Sequence, residues 1–520
     1  MLNAKRIIEK YSSSLSKKST VDSKYKEVFR YVMPDRDNYN YPQTDGDNFD
    51  SKRNSIYSNV GVNAAMSFVN RIQSSLTPIK GDWIELKANE LAENREEVDL
   101  ELEKLAKICN MYKNISNFDQ IISEFYGDLV AGTACLMLQK GTPKNPLMFR
   151  AIPIKDLTIL EGVEGQVSYV FRKFETRKEN LKAQWVELKG MEISADEADK
   201  NVSIIECTNY DYDTEQWTYY VVDQEKEKIL VERPYAINPF ITLRWFKCTG
   251  ELYGRGVGLQ AIDDIRTLNL MTQYALRSAA YALPTFMVQE DAVFDPDEFV
   301  LEPGALNPIS DVNAIQPLQV NTNIDVNRLN LQELEAKVKK TMLNNVLPDK
   351  ITPGVTATEI AERSEQDQVN ISSVFGRLEN EFLVPLVKGI INTLQQFKLV
   401  DSEFDISELD GLGFRVVVNT PLAKAQQQRG VMNVVRAASI LAQFDPTGQV
   451  LANAFKTEEL VPYLLDGMGT PANLYNTSKE YASKRDQSAQ AGAQMEEQSA
   501  NADAKRQMAI DDNKEQAKQQ

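Results

Sequence analysis

The chain has 520 residues, 42% of them hydrophobic and 26% charged, with a formal net charge of -17. That is ample material for a folded core and for roughly three or four domains, and the acidic balance argues against a protein that coats DNA by neutralising its phosphates. There is no histidine, which excludes Ser-His-Asp and Cys-His nucleophilic sites, HExxH zinc sites and any histidine general base.

The four cysteines, Cys109, Cys135, Cys207 and Cys248, form no CxxC pair. Their scatter argues against zinc and for reduced, mostly buried thiols; no metal and no other cofactor is expected. Met1 to Lys10 carries Lys5, Arg6, Glu9 and Lys10 and lacks the apolar run of a signal peptide. The most apolar stretch, 268–288, is interrupted by Arg277 and Pro284, so no membrane span and no membrane partner is expected.

In chain order, residues 4–32 predict an amphipathic helix, with Tyr25, Val28, Phe29 and Val32 on one face, stopped by Met33-Pro34. A polar loop over 38–50 leads to a helix over 61–76 whose stripe is Val62, Ala65, Met66, Val69 and Ile72. Trp83-Ile84-Glu85-Leu86 opens a short strand. An acidic helix follows over 91–106, then a buried helix from 115 that ends in a strand-like Ala134-Cys135-Leu136-Met137-Leu138. Between 148 and 245 the pattern shifts to strands at 167–174, 202–210, 217–223 and 229–231.

The central stretch runs from Gly250 to Arg363. A glycine-dense turn, Gly250-Glu251-Leu252-Tyr253-Gly254-Arg255-Gly256-Val257-Gly258, precedes a helix to about residue 283 carrying Leu259, Ile262, Ile265, Leu268 and Met271 at helical spacing. A Pro-rich excursion over 285–325 contains strand-like pieces at 285–288 and 315–318. A second helix is expected near 328–346, with Leu331, Leu334, Val338 and Met342 on one face and Lys337, Lys339 and Lys340 off it. A Pro/Gly loop then reaches Thr356-Ala357-Thr358-Glu359, which has the form of a capping box. The helix it opens runs through Phe375 and Phe382, and Pro385 should kink it. Phe414 to Val418 is a strand, 421–444 and 460–465 are helices, and from 473 onward large apolar residues almost vanish.

Gly254-Arg255-Gly256-Val257-Gly258 before a helix admits a phosphate-cradle reading. It lacks the Gly-Lys-Ser/Thr ending of a nucleotide loop and the GxGxxG spacing, so a structural turn is the better reading. Asp263-Asp264 could hold a metal, but adjacent residues on a helix point about 100° apart; pairing with a cation such as Arg255 or Arg266, within or between subunits, fits them better. Lys350 and Arg363 flank the loop before the capping box, and solvated charges are the plain reading of both.

Two ordered sets of motifs together resemble a known family. They are Gly250 to Gly256 followed by Gln260-Ala261-Ile262-Asp263-Asp264-Ile265-Arg266-Thr267-Leu268-Asn269, and Thr356-Ala357-Thr358-Glu359-Ile360 with Arg363, leading to Glu381-Phe382-Leu383-Val384-Pro385-Leu386. The helix at 63–76 with Pro78 and Trp83 to Leu86 adds to them. The chain resembles the head-to-tail connector, or portal, proteins of short-tailed, T7-like bacteriophages, over most of residues 4–444. The resemblance implies an α+β, mainly helical portal fold, built as a ring of normally twelve subunits around a channel at one capsid vertex. By order it implies a wing at 1–249, stem helices at 250–284 and 328–346 around a clip at 285–327, a channel loop at 347–356, a long kinked helix of the inner wing at 357–413, a crown at 414–472 and a polar tail at 473–520. Gly254, Arg255, Gly256, Asp264, Thr356, Glu359, Arg363 and Pro385 would be its structural motif residues, and Lys337, Lys339, Lys340 and Lys350 candidate DNA-channel residues.

The implied role is not enzymatic: a passage for double-stranded DNA during packaging and ejection. The implied partners are further copies of the chain, a separate terminase that supplies the ATPase, major capsid and scaffolding proteins, and tail adaptor and internal core proteins. The implied location is the virion, after assembly in the host cytoplasm. A scaffold or minor coat protein without a DNA channel is the alternative; an acidic phosphodiesterase or ATPase is disfavoured by the missing histidines, metal clusters and Walker motifs.

Overall fold

The computed structural model describes residues 3–36, 39, 55–88, 95–163, 165–190, 198–281, 286–288, 315–317, 324–344, 374, 376–400, 414–418, 431–441 and three single positions, 460, 464 and 484. The chain divides into two compact units, Met1–Val418 and Asn419–Gln520. In the second, a helix covers 431–441, inside the helix expected at 421–444.

The first unit mixes helices and strands. Helix α1, Ala4–Val32, starts where the Asn3 side chain accepts the backbone N–H of Arg6 at 2.8 Å. It buries the expected face, Tyr25, Val28, Phe29 and Val32. Helix α2 is Val60–Leu76, and strand β1 is Ile84–Ala88. Helix α3, Arg95–Ile115, runs well past the expected end at 106, because Leu102, Leu105, Ala106 and Cys109 keep one buried stripe going. Helix α4, Phe118–Leu129, is therefore a separate element beginning after Ser116-Asn117.

Two antiparallel sheets follow. Strands β2 (Thr133–Thr142), β3 (Asn145–Ile152) and, after the second sheet, β9 (Phe240–Arg244) align in the order β3-β2-β9. Strands β4 (Leu157–Glu161), β5 (Val167–Arg177), β6 (Asn201–Asp211), β7 (Gln216–Asp223) and β8 (Lys228–Tyr235) form a meander in chain order, with the short helix α5 (Lys178–Gln184) between β5 and β6. Side chains alternate across it. Phe171, Ile205, Cys207, Tyr220 and Val222 pack on Ala4, Ile7 and Tyr11 of α1. The opposite face is buried too and mixes apolar Val170, Ile204 and Val221 with a polar cluster: Arg172 bonds Glu206 at 2.9 Å, Tyr219 donates to Glu206 at 2.7 Å, and Trp185 donates to Tyr219 at 3.2 Å. Each buried charge thus has a partner, as a low-dielectric setting demands.

Helix α6, Val257–Tyr281, leads to strand β10 (Phe286–Val288), which pairs antiparallel with β11 (Ile315–Pro317) before helix α7, Ile324–Thr341. The strand pieces expected in the Pro-rich excursion are these two. Helix α7 begins and ends earlier than the expected 328–346. Its end is a Schellman-type turn: Leu343 takes φ 56°, and Asn344 N–H returns to the Lys339 carbonyl at 2.8 Å.

Where a kink was expected at Pro385, the structure has a π-helical segment, Glu379–Leu383, followed by helix α8, Val384–Gln396, with the proline in its first turn. Proline cannot donate to the helical ladder, and a wider turn in front of it absorbs the missing bond. Strand β12, Phe414–Val418, pairs antiparallel with β1, Ile84 opposite Val418 and Ala88 opposite Phe414. The strand expected at 414–418 thus has its backbone partners at 84–88, and the compact unit that contains it runs to Val418.

Candidate functional site: the glycine junction and the helix pair it launches

The glycine run crosses the end of α4 and the start of β2 at backbone contact distance. Gly254 N–H donates to Thr133 Oγ1 at 2.9 Å, Gly256 N–H to the Ala131 carbonyl at 3.0 Å and Gly258 N–H to the Val130 carbonyl at 2.9 Å. Arg255 N–H donates to the Phe246 carbonyl at 2.7 Å. A Cβ at Gly254 would lie 2.2 Å from the Gly132 carbonyl oxygen, and one at Gly256 would lie 2.1 Å from that of Val130. Gly132 itself has φ 142°. These glycines are required by close approach. Because their N–H groups are already engaged within the chain, they cannot also present a phosphate cradle.

Tyr25 of α1 locks the crossing. Its hydroxyl donates to the Gly254 carbonyl at 2.6 Å and lies 3.1 Å from Thr133 Oγ1. Burial raises its pKa well above the usual phenol range. Sequence reading placed Tyr25 on an apolar face and missed the hydroxyl's role, and it passed over Thr133. A glycine just before a strand, Gly132, was the available signal.

Arg244, at the end of β9, ties the junction to the π segment. Its side chain is 3% exposed. The guanidinium bonds Glu381 at 2.8 and 3.3 Å, the Leu252 carbonyl at 3.4 Å and the Gly165 carbonyl at 3.2 Å, while its own backbone N–H reaches Glu381 at 3.1 Å. Arg377 adds a second bond to Glu381 at 2.8 Å. Neither Arg244 nor Glu381 stands out by spacing, since their partners are far apart in sequence.

Helix α6 leaves the junction and packs along α7. Asp264 pairs with Lys337 across them at 2.7 Å. Arg255 is exposed and pairs with Glu251, not with the aspartates. Arg266 lies 4.0 Å from Asp263 and 3.7 Å from Glu27 of α1. Lys339 and Lys340 are exposed on α7. Arg71 of α2 donates to the Leu343 carbonyl at 2.7 Å, anchoring the exit of α7. Asn269 of α6 fastens the segment before α2 through Tyr57 N–H at 2.7 Å and the Ser55 carbonyl at 2.9 Å. Lys350, Thr356, Glu359 and Arg363 lie outside the described residues.

Of the cysteines, Cys109, Cys135 and Cys207 are buried, and burial pushes Cys109 up to about 12. Among the described residues no group of His, Cys, Asp and Glu is placed to hold a metal ion, and no helix is long and apolar enough to cross a membrane.

The family model described as bacteriophage head to tail connecting protein matches residues 4–475. A probable portal protein of Bordetella phage BPP-1 is 21% identical, covering 93% of this chain and 91% of its own. The portal protein of Enterobacteria phage T3 is also 21% identical, covering 65% of each chain. A chain in the neck of an empty gene transfer agent particle covers 85% of this chain and 99% of its own at 10% identity, with a TM-score of 0.36, too low to establish a shared fold.

Proposed function

This chain belongs to the bacteriophage head-to-tail connecting protein family, and from that membership we propose that it is a portal protein, whose copies close into a ring, normally of twelve, at one capsid vertex. DNA enters through the ring during packaging and leaves through it during ejection; terminase docks on it first and tail proteins afterwards.

The observation that carries this reading is the helix pair α6–α7. Two packed helices leave a glycine junction anchored on α1, α4 and β2 and hold a β-hairpin at their far end. That is a packed helix pair with a two-stranded sheet between its helices in sequence, carried by the larger α+β body. In this assignment α6 and α7 are the stem, β10 and β11 belong to the clip, the elements up to residue 249 with Glu379–Gln396 form the wing, and the second unit forms the crown and tail.

Charge sets the mechanism. A chain of net charge -17 repels the DNA that passes through it, and tight phosphate gripping would slow transit. Lys337 is neutralised by Asp264, so the exposed Lys339 and Lys340 are the described candidates for weak phosphate contacts, and Lys350, outside the described residues, is the remaining candidate. Negative-stain microscopy of the purified full chain tests the ring. Rings with a central hole support it, and a stable monomer under assembly conditions overturns it. Lys339→Glu in the virion tests the channel; unchanged packaging and ejection would remove that residue from the DNA path.

A further inference from the structure

Helix α6 carries a coherent exposed face, on which Arg266 also lies 3.7 Å from Glu27 of α1. At roughly 100° per residue, Asp263, Arg266, Thr267, Leu270, Tyr274 and Arg277 fall within an arc of about 100°, and all of them are exposed. Leu270 is 45% and Tyr274 55% exposed, which is unusual for the centre of a helix face whose other sides pack on α7 and α1. On α7 a second free face carries Glu333, Ala336 and Lys340, all exposed, within an arc of about 60°. It lies opposite the buried Val338 and Met342.

The two faces match in height. Lys337 bonds Asp264, so those residues are level. The helices must be antiparallel: residue 324 follows Pro317, paired in the hairpin beyond the end of α6, by seven residues, a reach of at most about 25 Å. A parallel α7 would have to start near the glycine junction, at the opposite end of α6. Counting along antiparallel axes puts residue 263 level with 338 and residue 266 level with 335. Asp263 then stands within about 3 Å of axial rise of Lys340, and Arg266 within about 3 Å of Glu333. Ala336 lies between these charges and is small enough for close helix approach. Rotation about an axis parallel to the helices leaves every height unchanged, so copies related by that rotation present these levels to each other directly.

We propose that the Asp263–Leu270–Tyr274 face of α6 docks on the Glu333–Ala336–Lys340 face of α7 in a second copy of this chain, with Asp263 paired to Lys340 and Arg266 to Glu333. The contact joins two different surfaces, so it repeats head to tail and closes only as a ring. It rests on the ring reading above and specifies which faces meet. It also divides the lysines: Lys340 serves the neighbouring copy, and Lys339, about 100° round the helix, is left to the channel.

The test uses the full chain carrying Cys248→Ser, with Asp263→Cys and Lys340→Cys together. Both positions turn away from the α6–α7 seam, so a disulfide between them joins copies. Oxidised rings are expected to run as a ladder of covalent multimers on a denaturing gel, and either cysteine alone as monomer. Leu270→Glu is expected to lower ring yield at least tenfold with helix content unchanged. Asp263→Lys should weaken assembly, and Lys340→Asp added to it should restore it. If wild-type rings form while the double-cysteine chain stays monomeric on the gel, or if Leu270→Glu assembles at wild-type yield, the docking proposal is overturned with the ring reading intact. If the wild-type chain forms no rings, both fall together.

Discussion

Substituting Gly256 by alanine should be among the most damaging single-methyl changes in the first unit. The added Cβ would stand 2.1 Å from the Val130 carbonyl oxygen and 2.6 Å from the Leu129 oxygen, both backbone atoms that no side-chain rotation can move. Relief to ordinary contact needs the two segments to part by about 1 Å. Parting them stretches the Gly256–Ala131 bond at 3.0 Å and the Gly258–Val130 bond at 2.9 Å, and loosens the Tyr25 hydroxyl from the Gly254 carbonyl. Two or three buried bonds at about 1–3 kcal/mol each give a loss of roughly 3–5 kcal/mol. Urea unfolding of the full chain, at a concentration where it is monomeric, measures this against two controls. Gly190→Ala meets nothing within 4 Å and should be neutral. Gly250→Ala also has open space but keeps φ 83°, so it should cost about 1 kcal/mol from backbone strain alone. If Gly256→Ala unfolds at the same urea concentration as Gly190→Ala, the close-approach account of the junction is wrong.

Glu206→Gln leaves Arg172 charged and buried without its counter-ion and should destabilise by about 3 kcal/mol, seen as a lower urea midpoint; a shift under 1 kcal/mol would contradict that. Lys113 is buried, donates to the Gly81 carbonyl at 2.6 Å, and has its pKa pushed down to about 8 by burial. Between about pH 8 and its unfolded value near 10.5 the unfolded chain holds the extra proton, so stability should rise with pH across that window. Lys113→Met should flatten that part of the stability–pH curve, and an unchanged slope would refute the assignment. Lys337→Ala removes an exposed pair and should cost less than about 1 kcal/mol in chain stability, so a large loss would show that the pair does more than set the level of two helices.

How much of this was legible in sequence depends on whether the signal was local. Helix α1 and strands β5 to β8 announce themselves by periodicity, because their buried faces repeat within a few residues, whereas the three-residue strands β10 and β11 are marked by the prolines around them. Strands β4 and β9 have only five residues each, and β3 carries Pro146, so none shows a clear alternation. The glycine run was visible as a turn, but its reason was not: Gly132 and Val130, which it touches, precede it by more than a hundred residues. Arg244 and Glu381 were illegible for the same reason, being 137 residues apart. A kink was expected at Pro385; a π segment lies just before it, and the Arg244 and Arg377 bonds to Glu381 inside that segment had no local signal.

The hairpin β10–β11 has a further consequence. Val288 lies opposite Ile315, so residues 289–314 leave and re-enter the body at adjacent backbone positions. A segment with neighbouring ends can be lengthened, shortened or exchanged without disturbing the helices beneath it, since doubling such a loop costs only about 0.6 kcal/mol in closure entropy. In terms of chain closure, that segment is thus separable from the helices on either side of it. Grafting a foreign segment in place of 289–314 should therefore leave the fold of the remainder intact.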